Sequence, residues 1–116
     1  MTMNSAYAKK EPARAEVDAL HGPTLLEFGT PWCGFCRAVQ PLLAATLAHH
    51  PDLRHLKIED GRARPLGRSF AVKLWPTLIF LRDGKEIARL VRPRNEDAIS
   101  DALGRLAGAV PTQSLQ

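Results

Sequence analysis

Cys33 and Cys36 are the only cysteines in this 116-residue chain, and they stand in the run Trp32-Cys33-Gly34-Phe35-Cys36. Two intervening residues let both sulfurs meet at the first turn of a helix and close a small disulfide loop. Such a bond can be made and broken without unfolding the protein. The attacking species must be a thiolate, and the free N–H groups and partial positive charge of a helix start favour that anion. The segment therefore suggests thiol–disulfide exchange. A metal role is the competing chemistry. His21, His49, His50 and His55 do not stand at metal-ligand spacing from the cysteines, so no metal site within one chain is expected. Two chains sharing a zinc ion or an iron–sulfur cluster through paired Cys-x-x-Cys motifs remain an alternative.

The elements that must position these sulfurs can be read from pattern. Thr24-Leu25-Leu26-Glu27-Phe28 is a short apolar run between Pro23 and Gly29, which reads as a buried strand leading into the cysteine segment. A helix is expected over 33–50, with Val39, Leu42, Leu43 and Leu47 near helical period and a kink at Pro41. Upstream, 12–20 has helical composition and is stopped by His21-Gly22-Pro23. Further strands are expected over 53–59, 77–81 and 86–91, with an arginine-rich loop and short helix over 61–70. Asp83-Gly84 between two apolar runs predicts a tight hairpin, and Asn95 a cap for a last helix carrying Ile99, Leu103 and Leu106. Strand–helix–strand requires a parallel crossover, and the closing hairpin an antiparallel edge. The expected fold is α/β: a mixed four- to five-stranded sheet with helices on both faces. Residues 1–10 are expected to be a flexible N-terminus or weak edge strand, 11–108 the domain, and 109–116 a disordered tail.

Length and composition allow one domain with one core. No apolar run approaches the ~20 residues needed to span a bilayer, and residues 1–10 lack the apolar core of a secretory signal. The expectation is a cytoplasmic monomer without a membrane partner. Two cysteines in that compartment favour a redox or metal role over a static disulfide. The net charge is +4, and Arg62, Arg64, Arg68, Arg89, Arg92 and Arg94 cluster. Acidic residues are interleaved, and two Trp, one Tyr and four Phe supply no aromatic–basic alternation, so no nucleic-acid partner is expected.

Read together, these landmarks resemble the thioredoxin family over about residues 23–107. The strand Leu25-Leu26-Glu27-Phe28 precedes Trp32-Cys33-Gly34-Phe35-Cys36-Arg37, and a helix proline follows at Pro41. Trp75-Pro76-Thr77 then opens the third strand, and Asp83-Gly84-Lys85 turns the hairpin. The resemblance implies the thioredoxin fold and a thiol–disulfide oxidoreductase that reduces protein disulfides. It needs no cofactor beyond the Cys33–Cys36 disulfide and is recycled by an electron-donating reductase. It implies Cys33 as exposed nucleophile, Cys36 as buried resolving thiol and Pro76 as a cis-proline that turns the Trp75 backbone toward substrate. Glu27 falls where the family carries a buried acid under the resolving cysteine, and Lys57 where it carries a lysine on the partner strand. Burial disfavours a charged carboxylate, so Glu27 can take the proton of Cys36.

Trp32, Gly34, Phe35, Trp75, Pro76 and Arg92 are expected to hold substrate. Three positions depart from the family pattern. Gly34-Phe35 replaces Gly-Pro between the cysteines and bears on redox poise. Gly29 replaces a second tryptophan. Arg92 replaces a glycine beside the site and should bias the groove toward acidic segments. An adaptor that uses the same groove only for binding is the remaining alternative, against which the two intact thiols argue.

Overall fold

The computed structural model describes residues 3–108, so the tail expected over 109–116 lies outside the described residues. The first element is α1 (Arg14–Asp18), followed by β1 (Pro23–Gly29), α2 (Gly34–Leu47) and β2 (Arg54–Glu59). Then come α3 (Pro65–Ser69), β3 (Thr77–Arg82), β4 (Lys85–Val91) and α4 (Glu96–Gly108). The sheet order is β2-β1-β3-β4. β1 runs parallel to β2 and antiparallel to β3, and β3 and β4 form an antiparallel hairpin. α2 is thus the crossover that the β1–β2 pairing requires.

Two apolar layers sandwich this sheet. Leu25, Val39, Leu43, Phe80, Ile99 and Leu103 form the layer under α2 and α4. Val17, Leu26, Phe28, Leu66, Phe70 and Ile79 form the opposite layer, under α1 and α3. β1 is buried along nearly its whole length because both faces are covered. Strand alternation sends Leu25 to the α2 side, and Glu27, two residues on, to the same side. An ionisable side chain is thereby carried into the interior beneath α2.

Four strands are present among the described residues. The segment from Asn4 to Ala8 runs beside β2 without joining it as a fifth strand: the Ala8 N–H reaches the Lys57 carbonyl at 2.8 Å, and the segment carries no alternating apolar pattern to extend the ladder. α1 is shorter than the expected 12–20, and α2 is capped by Cys33 and ends at Leu47. α2 runs on through Pro41. The hairpin turns through Asp83 and Gly84 at φ 52° and 80°, the left-handed pair a two-residue turn needs. Asn95 caps α4, its Oδ1 accepting from Ala98 N–H at 2.9 Å.

A Cβ at Gly84 would overlap the Asp18 backbone carbonyl, in addition to the positive φ. Gly84→Ala is expected to cost about 1–3 kcal/mol, and Asn95→Ala about 1 kcal/mol. Thermal unfolding followed by circular dichroism checks both, and a Gly84→Ala Tm equal to that of the unmodified chain would contradict the close approach.

Candidate active site

The two thiols stand where β1 ends and α2 begins. Cys33 is the N-cap residue of α2, and its Sγ accepts the Cys36 backbone N–H at 3.1 Å. The sulfur thus satisfies one of the otherwise unpaired donors of the first turn, the environment that favours a thiolate. Both cysteines are free thiols. Cys33 is 8% exposed and Cys36 2%. The expectation of a freely exposed nucleophile is corrected here: Cys33 is nearly enclosed, with the Trp75 carbonyl 4.0 Å from its sulfur.

Cys36 is held differently. Its thiol is pushed up to about 12, first by burial and then by the hydrogen bond and negative charge of Cys33, with Glu27 adding to the shift. A backbone hydrogen bond from Thr30 opposes these. Gly29 makes this placement possible, since a Cβ there would stand 2.6 Å from Cys36 Sγ and 3.2 Å from the Tyr7 hydroxyl. Where the resemblance implies a second tryptophan, this chain gives the space to the Cys36 sulfur and to Tyr7. The Tyr7 phenol is itself raised, by burial and by the charges of Cys36 and Glu27.

Below the sulfurs lies a buried polar network. Glu27 is fully buried. Its Oε1 is 2.8 Å from His55 Nε2, and its Oε2 accepts from Gln40 Nε2 at 2.8 Å. Gln40 Nε2 also donates to the Cys36 carbonyl at 2.7 Å. Lys57 is the register partner of Glu27, yet its Nζ donates to Gln40 Oε1 at 3.2 Å and to the Ser5 carbonyl at 3.3 Å. It also lies 4.8 Å from the Tyr7 ring centroid. Lys57 therefore meets Glu27 through Gln40, and the direct partner of Glu27 on β2 is His55.

Sequence reasoning missed His55, Gln40 and Tyr7. His55 stands two residues before Lys57 on β2, so strand period alone puts it on the same face. Gln40 stands four residues after Cys36, one helical turn on. Nothing local in the sequence brings Tyr7 here.

The residues expected to hold substrate stand around the sulfurs. Trp32 is 69% and Phe35 57% exposed. Trp32 meets Trp75 edge-on, with centroids 5.5 Å apart at 78°, and Trp75 Nε1 donates to Asp60 Oδ2 at 2.9 Å. The Trp75–Pro76 peptide is cis. A Cβ at Gly34, the first residue of α2, would meet only the Arg37 guanidinium, at 4.0 Å. Arg92 folds over this surface from a positive φ of 53°. Its Nε donates to the Trp75 carbonyl at 2.7 Å, and its guanidinium lies 4.1 Å from the Phe35 ring centroid. A cleft of about 480 Å³ opens beside it, lined by Phe35, Val91, Arg92 and Arg94 among others.

The unequal environments predict unequal reactivity. With its thiol at about 12, fewer than about one Cys36 in 10,000 is thiolate at pH 7.5. Limited iodoacetamide at that pH should label Cys33 alone, and Cys36 should label only as the pH rises toward 12 or on unfolding. Peptide mapping checks this, and equal labelling at pH 7.5 would contradict the arrangement.

The thioredoxin family model matches residues 5–105. A thioredoxin of Chlamydia trachomatis is 37% identical over 79 residues, covering 67% of this chain and 76% of that protein. Thioredoxin H-type 1 of Nicotiana tabacum is 30% identical over 88 residues, covering 76% and 70%. Among solved structures, reduced thioredoxin 2 of Pseudomonas aeruginosa superposes with a TM-score of 0.82 at 55% identity, covering 93% of this chain and all of that one. The family acts on disulfides, is reduced by a reductase and uses no cofactor beyond its redox-active disulfide. This favours exchange at the two thiols over a metal-bridged or adaptor role. With two sulfurs at a helix start, a buried acid below them and a fold shared across these relatives, the chain belongs to the thioredoxin family and is a thiol–disulfide oxidoreductase.

Proposed function

We propose that the chain reduces protein disulfides in the cytoplasm, as a monomer recycled by a dedicated reductase. The observation that carries the reading is the asymmetry of the thiols: Cys33 Sγ accepts a helix N–H, while burial keeps Cys36 protonated. The Cys33 thiolate attacks one sulfur of the substrate disulfide, and the other sulfur leaves and takes a proton. Cys36 then gives its proton to Glu27, and its sulfur attacks Cys33. The bond from Cys33 to substrate breaks, leaving Cys33–Cys36 oxidised and the substrate reduced. Lys57, acting through Gln40, offsets the negative charge around Glu27.

Trp32, Gly34, Phe35, Trp75 and Pro76 form the surface that receives an extended substrate. The open rim and the space at Gly34 support this role. Arg92 occupies the Trp75 carbonyl that a substrate backbone would use, so a substrate carboxylate that draws the guanidinium away frees that acceptor. Arg94 lines the same cleft and adds a second cation. Disulfides flanked by acidic residues are thus the favoured class.

Cys33→Ser is expected to abolish disulfide reduction, and Cys36→Ser to accumulate a mixed disulfide with substrate, both read by mass spectrometry. The potential against a glutathione buffer should lie near the thioredoxin value of about −270 mV, whereas a value near about −120 to −180 mV would mark an oxidant or isomerase. Arg92→Gly should slow reduction of an acidic peptide disulfide relative to a neutral one. Equal effects on the two peptides would remove Arg92 from substrate selection.

A further inference from the structure

One buried titratable group has no part in the steps above. His55 is 3% exposed on β2 and lies beside the fully buried Glu27. The Asn4 backbone N–H donates to His55 Nδ1 at 2.8 Å, so Nδ1 presents its lone pair. The ring hydrogen therefore sits on Nε2, which donates to Glu27 Oε1 at 2.8 Å. The two carboxylate oxygens are thereby distinguished. Oε1 is held against β2, and Oε2 faces α2, sharing the Gln40 amide nitrogen with the Cys36 carbonyl.

We propose that His55 is a positioning residue for the resolving step: locked in its Nε2–H form by the Asn4 backbone, it holds Oε1 of Glu27 and leaves Oε2 as the oxygen that takes the Cys36 proton. The proposal rests on the reading of Glu27 as proton acceptor. In this step the Cys36 S–H bond breaks and an O–H bond forms on Oε2. The sulfur electron pair bonds to Cys33 Sγ, and the substrate sulfur leaves as a thiolate. Among the described residues, Cys36 from α2 and Tyr7 from the N-terminal segment interact electrostatically with Glu27, Lys57 from β2 reaches it through Gln40, and Cys33 and Glu59 act on Tyr7. That segment supplies three of the contacts on this network: Asn4 N–H on His55, the Ser5 carbonyl on Lys57, and the Tyr7 ring beside Lys57.

Two measurements test the proposal. Nitrogen-15 NMR of the reduced full chain at pH 7 should show His55 protonated at Nε2 and bare at Nδ1, and the reverse tautomer would overturn it. Stopped-flow reaction with 5,5′-dithiobis(2-nitrobenzoate) releases one thionitrobenzoate on Cys33 attack and a second on Cys36 resolution. His55→Phe should slow the second phase at least tenfold at pH 7 and make it climb more steeply with pH, while the first phase changes less than threefold. His55→Gln retains an N–H donor and should recover most of the loss. A second phase unaffected by His55→Phe but slowed by Glu27→Gln overturns the role of His55 alone. A second phase that Glu27→Gln leaves unchanged overturns the proton-acceptor reading and this inference with it. Slowing by His55→Phe that persists in full in a Glu27→Gln background also overturns it, because no acceptor is left to position. The NMR measurement stands even if a variant fails to fold.

Discussion

The bond from the Cys36 N–H to the Cys33 sulfur is the contact on which the site depends. A helix start leaves backbone donors without partners, and here a sulfur takes one of them. That single arrangement fixes Cys33 at the mouth of the site, Cys36 one turn inside it, and the separation across which a disulfide closes. The rest of the fold keeps this helix start at the C-terminal end of a strand buried on both faces. β1 cannot shift register without moving Leu25, Leu26 and Phe28 out of their layers.

The same rigidity admits a charge to the interior. Glu27 follows Leu25 on the α2 side, where an unpaired carboxylate would be costly. It is accommodated because His55 and Gln40 donate to its two oxygens, and Lys57 completes the chain through Gln40. Gln40 joins three parts of the fold: β1 through Glu27, β2 through Lys57, and its own helix through the Cys36 carbonyl. A network satisfied at each of these oxygens is stiff, which suits the proton-accepting role proposed for Glu27.

The rim works in the opposite way. Trp32 and Phe35 are left open to solvent, and the side chain that covers the Trp75 carbonyl is a movable arginine. The arginine lies over the Phe35 ring and donates to the Trp75 carbonyl, so it occupies that backbone acceptor beside the cleft. Gly29 illustrates a trade inside the same site. Position 29 holds no side chain, and the Cys36 sulfur and the Tyr7 hydroxyl stand where a Cβ would go.

Local signals were enough for most of the architecture. The apolar run of β1, the Asp83-Gly84 turn, the Asn95 cap and the helical period after Cys36 each depend on neighbours in the chain, and each stands as read. The Cys-x-x-Cys spacing likewise pointed to thiol–disulfide exchange, because reach across one helical turn is a local property, while the metal-bridged alternative stayed open to the spacing alone. What joined residues distant in sequence was decided only by tertiary packing. Glu27 and Lys57 are register partners, but the sequence could not show that Gln40 stands between them, or that His55 rather than Lys57 takes the carboxylate. Residues 1–10 read as a flexible N-terminus or a weak edge strand. Within that segment, Asn4 and Tyr7 reach the active site through contacts with His55 and Lys57 on β2, some fifty residues away in the chain. Hydrogen-bond partners in a buried network are chosen by which polar groups the packing strands together, and no periodicity records that choice.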